Sequence, residues 1–401
     1  MFRMGKEEAA AAARVIESGQ LFKVNDGEGK EVYNFEEEWK EKTGSRHAIC
    51  MTSGKAALIS GLVGLGIGVG DEVIVPAYTY IASAIAVLAA GAIPVIAEVD
   101  ETLTIDAADV ERKITPNTKA VMPVHIMGFP CNMEAITRLA KKYNLKIIED
   151  ACQADGAMYR GKRLGTIGDV GAYSFNCFKI ISAGEGGLMA TDNKTVFEKA
   201  LIYHDSSAIA YFGNQLDSIS VRPFVGNEYR VSEITGAIMR EQLKRLDGII
   251  EDLHKVRNYI YDKIADTGLS ILKSHDRDGE LGTVLAFGFE TEQKARSFAE
   301  SDGIEGSLPI DSGRHVYRNW TPIMEKRGSV NEKTNPYGFE ENKKLGVSYS
   351  EDMCPKTLDY LSRAVYIYIH PDMTTQQCDA QADRIKAAAE KVIREDYNEN
   401  K

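Results

Sequence analysis

The stretch NMEAITRLAKKYNLKIIED, residues 132–150, predicts a helix followed at once by a strand. In its first part the apolar residues recur three or four positions apart, which is typical of an amphipathic helix. The apolar run that follows ends at Glu149 and Asp150 and predicts a short buried strand. Because the same alternation recurs on both sides of this stretch, we expect an α/β domain with a mostly parallel sheet covered by helices on both faces.

Segments further out fit the same architecture. Strands are predicted in DEVIVPA, IPVIAEVD, KAVMPVHI, VGAYSFN and GGLMATD, and helices near residues 6–18, 55–65 and 80–91. A long helical pattern from about residue 231 leads to a second unit with the strand patterns GTVLAFGFE and AVYIYIH. We therefore predict a large domain over residues 1–240 and a smaller C-terminal α+β domain over 241–401. Residues 305–350 are rich in Gly, Asn and charge, which predicts a long, partly structured loop.

Composition narrows the function classes. The chain has 401 residues and a formal net charge of −11, which argues against nucleic-acid binding but not against an anionic small substrate. The N-terminal stretch predicts no signal peptide, and no apolar run is long enough for a membrane-spanning helix. The six cysteines are scattered without a CxxC pair, which argues against a metal site or a disulfide framework. We expect a cytoplasmic protein with reduced thiols in its core.

Asp150 is the first candidate for a site residue. It ends a predicted parallel strand, and ligands of open α/β sheets bind at the carboxyl ends of such strands. An equally weighted alternative is that Asp150 caps a helix starting in ACQADG.

Lys179 lies in SFNCFKIISAGEGG, residues 174–187, among apolar residues and glycines. Burial would lower the proton affinity of its amine and make it a nucleophile of the Schiff-base type. Ser174 and the neighbouring backbone could present donors to a phosphate. A surface lysine is the alternative that composition alone favours.

Two earlier segments could also contribute to a site. SGKAAL opens a helix at Ser53, where a phosphate could bind at the positive end of the helix dipole, although a plain N-cap is the simpler interpretation. Tyr80 follows a strand and could stack on an aromatic ring, or simply pack in the core. The glycines of GLGIGVGD precede a strand instead of linking a strand to a helix, so we reject a dinucleotide-binding motif there.

Five motifs follow one another along the chain. They are Ser-Gly-x-Ala-Ala-Leu, Pro-x-Tyr-Thr-Tyr, Val-His-x-x-Gly, Glu-Asp-Ala-Cys-Gln-Ala and Ser-Phe-x-x-x-Lys with Gly-Glu-Gly-Gly. This series resembles the DegT/DnrJ/StrS family of pyridoxal-phosphate sugar aminotransferases, densely over residues 45–240 and more loosely beyond. The resemblance implies the aspartate aminotransferase fold (fold type I), with a seven-stranded type of sheet in the large domain. Pyridoxal 5'-phosphate is the implied cofactor.

The resemblance also implies a role for individual residues. Lys179 would form the Schiff base, and Asp150 would pair with the pyridine nitrogen. Tyr80 would stack on the ring and Gln153 would lie near the ring hydroxyl. The phosphate would be bound by Ser53, Gly54, Lys55 and Ser174, and by Asn227 from a neighbouring subunit, which implies a homodimer with shared sites. His125 resembles a strand-end histidine of the family, and we assign it no chemical step.

The chain departs from the family pattern at two places. Lys55 stands where the family usually has Thr, so a hydroxyl contact to the phosphate is lost and an ammonium could replace it electrostatically. The segment at 312–337 is longer than usual and contains Arg314, His315 and Arg318. It resembles the corresponding part of enzymes that aminate an eight-carbon acidic sugar, giving 8-amino-3,8-dideoxy-manno-octulosonate for lipopolysaccharide. A solvated loop is the alternative interpretation.

Transamination is the function that the resemblance implies. L-Glutamate, with glutamine left open, would donate nitrogen through a site that includes Arg230, and a keto or aldehydo sugar would accept it near Arg314, His315 and Arg318. Most relatives use nucleotide-linked 3- or 4-ketosugars, which is the main alternative. A sugar dehydratase of the same family would carry His in place of Lys179. A catalytically silent binding protein of this fold is disfavoured because Lys179, Asp150 and Gln153 are all present.

Overall fold

A computed structural model of the chain describes residues 2–23, 30–207 and 219–399, and the side chains of these ranges up to residue 392. Within these ranges, no helix has both the length and the apolar character needed to cross a membrane. All six cysteines are free. Four are buried, as expected for core thiols, whereas Cys152 is half-buried and Cys177 is exposed.

The central sheet has seven strands in the order β1-β9-β8-β5-β4-β2-β3. All neighbouring pairs are parallel except those of β9, which runs antiparallel to β1 and to β8. The predicted mostly parallel sheet and fold class are thereby confirmed. The strands are β1 (His47–Met51), β2 (Glu72–Pro76), β3 (Ile93–Ala97), β4 (Thr118–Val121), β5 (Lys146–Asp150), β8 (Val170–Ser174) and β9 (Gly187–Thr191), with a small hairpin of β6 (Met158–Tyr159) and β7 (Lys162–Arg163).

Helices cover both faces of this sheet. The opening stretch forms a helix over Met133–Tyr143 that is capped by the Asn132 side chain and ends at Asn144 in the left-handed conformation. Its buried side includes Ile136 and Leu139, as its periodicity predicts. The helices of this domain are α1 (Lys6–Ser18), α2 (Glu31–Thr43), α3 (Gly54–Gly64), α4 (Ala82–Ala89), α5 (Ala107–Lys113), α6 (Met133–Tyr143) and α7 (Lys194–His204), with a 3-10 turn at Ile126–Gly128.

One long helix, α8 (Glu233–Lys263), connects the large domain to the C-terminal unit. It continues through residue 240, where we placed the domain boundary, so the two units share a continuous helix. Helix α1 packs on it, and the Glu8 carboxylate accepts hydrogen bonds from Gln242 (2.8 Å) and from Arg245.

The C-terminal unit is built on an antiparallel sheet in the order β10-β11-β13-β12. The glutamate Glu98, just after β3, caps the helix that precedes β13, because its carboxylate accepts hydrogen bonds from the Lys356 and Thr357 N–H groups (3.2 and 2.7 Å). The elements are β10 (Ser270–Ile271), β11 (Val284–Gly288), β12 (Gly306–Ser307), β13 (Ala364–Tyr368), α9 (Glu292–Ala299), α12 (Pro355–Ser362) and α13 (Thr375–Glu399), with a 3-10 turn at Ala265–Thr267.

Residues 308–353, which we call the strap, leave the small domain and lie across the large one. Tyr317 and Trp320 are fully buried in it, so the alternative of a solvated loop is wrong for these inner residues. The Tyr349 hydroxyl donates to the Pro94 carbonyl at the sheet edge (2.7 Å). The strap contains only short elements: α10 (Thr321–Met324), α11 (Glu340–Lys343) and 3-10 turns at Pro309–Asp311, Gly313–His315, Tyr317–Asn319, Glu332–Thr334 and Pro336–Gly338.

Candidate active site

Asp150 ends β5 at the carboxyl edge of the parallel strands, and its side chain is buried. Its carboxylate accepts a hydrogen bond from the Ser83 hydroxyl (2.7 Å) and one from the Cys152 N–H (3.2 Å). Residues 151–157 form turns and no helix follows, so the helix-cap interpretation of Asp150 is wrong. A carboxylate oxygen has two lone pairs, so these two donors leave acceptor capacity for a further ligand.

Three predicted cofactor-binding segments meet around Gly54. A Cβ atom on Gly54 would lie 2.5 Å from the Cys152 Sγ and 2.9 Å from the Ser174 Cβ. On Gly187 it would lie 2.3 Å from the Ser53 carbonyl carbon. These close approaches require glycine. The start of α3, the turn after Asp150 and the end of β8 are therefore in direct contact.

The N-terminus of α3 is able to bind an anion. Ser53 is its N-cap, and the Ser53 hydroxyl oxygen accepts a hydrogen bond from the Ala56 N–H (3.1 Å). The simpler N-cap interpretation is therefore correct, and it is compatible with the hydroxyl donating its own proton to an anion. Lys55 lies exposed in the first turn, where its charge adds to the positive end of the helix dipole.

Lys179 is half-buried in a tight loop after β8. The Lys179 N–H donates to the Asn176 carbonyl (3.0 Å), and the Ala183 N–H donates to the Phe175 carbonyl (3.1 Å). Its positive charge acts on Cys152 and Asp155, which both lie in the turn after β5, and on His315 in the strap. The partial burial of Lys179 differs from the full exposure of an ordinary surface lysine.

The strap brings His315 beside Tyr80. The Thr79 N–H donates to the His315 carbonyl (2.9 Å), and the Tyr80 and His315 ring centroids are 5.3 Å apart. The His315 Nδ1 is 3.3 Å from the Ser312 carbonyl, which can only accept, so Nδ1 carries the proton. Burial lowers the pKa of His315 and the Lys179 charge lowers it further, against an opposing effect of the Ser312 carbonyl. His315 is therefore a neutral ring and adds no positive charge to the segment.

Gln153 points its amide oxygen at the backbone of a neighbouring turn. Its Oε1 accepts a hydrogen bond from the Met127 N–H (3.0 Å). This contact leaves the Gln153 amide nitrogen as the donor toward any other ligand. Met127 has φ 52°, a conformation that non-glycine residues seldom adopt.

Asn227 and Arg230 lie in a segment that runs past the start of α3, where the Thr52 N–H donates to the Tyr229 carbonyl (2.9 Å). The Asn227 side chain is exposed, whereas its backbone N–H donates to the Tyr203 carbonyl (2.7 Å). The Arg230 guanidinium pairs with Asp205 (2.5 Å) and with Glu228 (2.7 Å). A donor carboxylate at Arg230 would therefore compete with two carboxylates of the chain itself.

The two remaining predicted residues, Arg314 and Arg318, are exposed on the strap. Their backbone is fixed, since the Arg314 carbonyl accepts hydrogen bonds from the Ile81 N–H (3.0 Å) and from the Trp320 Nε1 (2.8 Å). The Ile81 contact places Arg314 next to Tyr80, at the same edge of the site as His315.

Sequence reasoning missed Ser83, Met127 and Asp155. Ser83 follows Tyr80 by three residues at the start of α4, a spacing that puts both on one side of a helical turn. Met127 contributes its backbone N–H to Gln153, so its side-chain type gives no indication of this contact. Asp155 is fully buried, and neither carboxyl oxygen has a hydrogen-bond partner among the described residues.

His125 is buried behind the site. Its Nε2 is 3.1 Å from the Glu149 carboxylate, and its Nδ1 accepts a hydrogen bond from the Cys131 N–H (3.2 Å). Glu149 in turn accepts hydrogen bonds from the Gly165, Ile167 and Gly168 N–H groups. This network fixes the loop before β8 and therefore has a structural role.

The residues present fit pyridoxal 5'-phosphate. A phosphate needs backbone donors and a positive dipole, which the start of α3 supplies. The pyridine nitrogen needs a buried carboxylate with spare acceptor capacity, which Asp150 supplies. The aldehyde needs a nearby amine, which Lys179 could supply from the loop that follows Ser174.

Comparisons with known proteins identify the family of the chain. The model of the DegT/DnrJ/EryC1/StrS aminotransferase family matches residues 3–305. The GDP-perosamine synthase of Caulobacter vibrioides is 40% identical over 252 residues, which are 62% of this chain and 65% of that enzyme. The alignment thus spans slightly less than two thirds of that relative.

Solved structures match over nearly the whole chain. The aminotransferase from Psychrobacter cryohalolentis is 28% identical, with a TM-score of 0.79 over 98% of both chains. S. venezuelae DesV is 30% identical, with a TM-score of 0.75 over 96% of this chain and 94% of its own.

Proposed function

The chain belongs to the DegT/DnrJ/EryC1/StrS aminotransferase family, and on this premise we propose that it transfers an amino group from L-glutamate to a keto or aldehydo sugar. The observation that carries the proposal is the contact of three cofactor-binding segments around Gly54, with Asp150 and Lys179 on two of them. When bound, pyridoxal 5'-phosphate supplies an electrophilic aldehyde and an electron-accepting ring.

Asp150 holds a proton on the pyridine nitrogen in this proposal. The Ser83 hydroxyl and the Cys152 N–H fix the carboxylate, so it does not have to reorient during the reaction. Its burial excludes water and strengthens the interaction with a cationic partner.

Lys179 would hold the aldehyde of the cofactor with its amine, and the same amine would supply the group that takes up and returns a proton. The hydrogen bonds of the loop on both sides of Lys179 fix its backbone. Gln153, oriented by Met127, would donate its amide N–H to the ring oxygen. Tyr80 would cover one face of the ring.

Lys179 can be tested directly. Sodium borohydride reduction of the cofactor-loaded protein, followed by peptide mapping, is expected to place the cofactor on Lys179. The Lys179→Ala variant serves as the control and should retain no covalent label. A label on another lysine, Lys55 included, would end this assignment.

The active site would be shared between two subunits of a homodimer. Asn227 is exposed and its backbone is fixed, so its side chain is available to a second copy of the chain. The neighbouring Val225 is 91% exposed, and Phe178, next to Lys179, is 87% exposed. Large apolar side chains exposed in this way favour burial in an interface.

An acidic sugar is the acceptor that the strap favours. Within residues 312–320 of the strap, Arg314 and Arg318 are the cations, because the lowered pKa of His315 leaves that ring neutral at neutral pH. Guanidinium groups bind carboxylates with two parallel hydrogen bonds. Our narrow proposal is the precursor of 8-amino-3,8-dideoxy-manno-octulosonate.

A nucleotide-linked 3- or 4-ketosugar is the second candidate, favoured by the similarity to GDP-perosamine synthase. Its phosphates could also bind the two arginines. Presenting both sugar classes to the amine-loaded protein and following the cofactor's absorption band distinguishes them. Turnover of the nucleotide-linked sugars alone would contradict the acidic-sugar proposal.

A further inference from the structure

The turn at residues 125–129 contacts Gln153 on one side and the small domain on the other. At its centre, Met127 has φ 52° and Gly128 has φ 79°. A residue with a side chain seldom adopts such a left-handed backbone, and it does so where its surroundings hold it in place. Backbone outliers of this kind are concentrated at functional sites, which makes the contacts of this turn informative.

The contact with Gln153 fixes which end of its side-chain amide faces the turn. The Met127 N–H can only donate, so the atom that it meets at 3.0 Å is the Gln153 Oε1. The NH2 group of the amide therefore points away from the turn. Rotating the amide by half a turn would bring two donors together, which is unfavourable as long as the Met127 N–H stays in position.

The small domain holds the same turn through its residues 281–283. The Leu281 N–H donates to the Gly128 carbonyl (3.1 Å), and the Thr283 hydroxyl donates to the Met127 carbonyl (3.4 Å). A Cβ atom on Gly128 would lie 2.2 Å from the Leu281 Cβ, so no side chain fits between the two segments. The close approach and the positive φ both require glycine here.

The segment that presses on the turn is itself anchored. The His254 Nε2 of α8 lies 2.6 Å from the Glu280 carbonyl, which can only accept, so Nε2 carries the proton. The Ile369 N–H, directly after β13, donates to the Thr283 carbonyl (3.1 Å). Contacts with α8 and with the end of β13 thus fix residues 280–283 as a support.

We propose that Leu281 and Thr283 are positioning residues for Gln153 and act through the Met127–Gly128 turn. The inference rests on the proposed function, because it takes Gln153 as a donor to the ring oxygen of the cofactor. The two small-domain contacts keep the Met127 N–H in place, and this N–H keeps the Gln153 NH2 group directed at the ring oxygen. The small domain thereby influences the cofactor ring through one backbone turn.

The hydrogen bond from Gln153 has an electrostatic effect that can be measured. A donor to the ring oxygen stabilises its negative charge and lowers the pKa of the proton that this oxygen shares. A misplaced or absent donor raises that pKa. The pH midpoint at which the absorption band of the bound cofactor changes therefore reports the position of the Gln153 amide, independently of turnover.

The first test follows this midpoint in the cofactor-loaded protein. Gln153→Met keeps the length of the side chain and removes the donor, so the midpoint should rise by about half a pH unit or more. Thr283→Val removes one hydroxyl and should shift the midpoint in the same direction by a smaller amount. Gly128→Ala has to push the turn and Leu281 apart, so its shift should exceed that of Thr283→Val.

Thr267→Val is the matched control. The Thr267 hydroxyl donates to the Ile264 carbonyl (2.7 Å) in the turn that follows α8, so this variant loses a bond of the same kind in the same domain. Its midpoint should equal that of the wild type. An equal shift in Thr267→Val and Thr283→Val would overturn the positioning role.

The second test uses the cofactor-free protein. Hydrogen exchange of the Met127 N–H is followed by mass spectrometry with fragmentation to single residues, because a loosened turn exposes this group to water more often. We expect exchange at least about threefold faster in Thr283→Val, the size of effect for one lost hydrogen bond, and faster still in Gly128→Ala. Thr267→Val should exchange at the wild-type rate. Thr283→Val alone decides both tests if Gly128→Ala does not fold, and unchanged exchange in Thr283→Val would contradict the support from the small domain.

The outcomes separate this inference from the proposed function. Borohydride mapping of the cofactor to a lysine other than Lys179 would end the proposed function, whatever the exchange rates are. Cofactor on Lys179 and a raised midpoint in Gln153→Met, together with a wild-type midpoint in Thr283→Val and in Gly128→Ala, would contradict the positioning role alone.

Discussion

At the scale of single residues, two hydrogen-bond donors from different segments of the chain hold the Asp150 carboxylate in place. Ser83 comes from the start of α4 and Cys152 from the turn after β5. The carboxylate is therefore held by two elements that are far apart in sequence, and its direction does not depend on a ligand. Such preorganised charge is usually the largest single contribution to catalysis.

Replacing Asp150 by Asn should keep the fold and lower turnover about a hundredfold or more, because the amide cannot stabilise a positive pyridine nitrogen. The measurement is kcat with saturating donor and acceptor, with circular dichroism as the check on folding. Ser83→Ala is the matched control, since it keeps the charge and removes one of its donors. We expect a smaller loss for it. Nearly normal turnover of Asp150→Asn would contradict the assigned pairing.

Sequence reasoning found Asp150 because it ends a strand that the hydrophobic pattern defines. It assigned Lys179 through the family resemblance of the surrounding motif, since composition alone favours a surface lysine. It did not find Met127, whose contribution is one backbone N–H in a left-handed turn. Nor did it find the Arg230 pairs, since Asp205 lies 25 residues away along the chain. Contacts of this kind depend on tertiary packing, which no local pattern records.

At the scale of elements, the strap shows why irregular segments are hard to predict. Its short 3-10 turns have no extended periodicity, so its composition predicts only a loop. Its order comes from partners in the large domain: the Tyr317 N–H donates to the Ala77 carbonyl (2.9 Å), and the Asn342 amide donates to the Gly91 carbonyl (2.9 Å). The buried Trp320 also anchors it.

The strap makes a testable prediction about the acceptor. Arg314→Ala or Arg318→Ala should weaken use of the acidic sugar by about 1.5–3 kcal/mol, the range for hydrogen bonds to charged groups. The change is measured as kcat/KM of the acceptor half-reaction. Arg327→Ala, which alters an exposed arginine further along the strap, is the control.

The glutamate half-reaction should change much less in the same variants, because the donor would bind elsewhere. Normal acceptor use by both Arg314→Ala and Arg318→Ala would remove the main physical support for an acidic acceptor. Equal loss in both half-reactions would indicate damage to the site as a whole.

At the scale of the whole molecule, most strands of the central sheet and its mostly parallel character follow from the strand and helix pattern, but the strand order and several elements do not. Strand β1 and helices α2, α5 and α7 were not predicted. Strand β1 is a five-residue strand at the sheet edge, and α2 combines charged residues with Phe35 and Trp39 on one buried side. Short or highly charged segments give weak local signals, and tertiary packing decides their structure.

Mixing two inactive variants tests the shared active site. Lys179→Ala and Asn227→Ala each remove one part of every site in their own homodimer. A mixed dimer has one intact site, so random exchange should restore about a quarter of the wild-type sites. The activity is measured after subunit exchange has been verified by native mass spectrometry. No recovery after proven exchange would count against a contribution of Asn227 across the interface.

The packing of α1 on α8 has a consequence for the nascent chain. Glu8 meets Arg245 across 237 residues of sequence, so the first helix lacks its packing partner α8 while most of the large domain is being synthesised, although Arg14 can already pair with Glu31 of α2. At roughly 5–20 residues per second, the ribosome needs on the order of ten to fifty seconds to supply that partner. During that interval the apolar side of α1, with Ala11 and Val15, is available to chaperones. Helix α1 would therefore dock on α8 late in synthesis, only after α8, the helix that joins the two domains, has been completed.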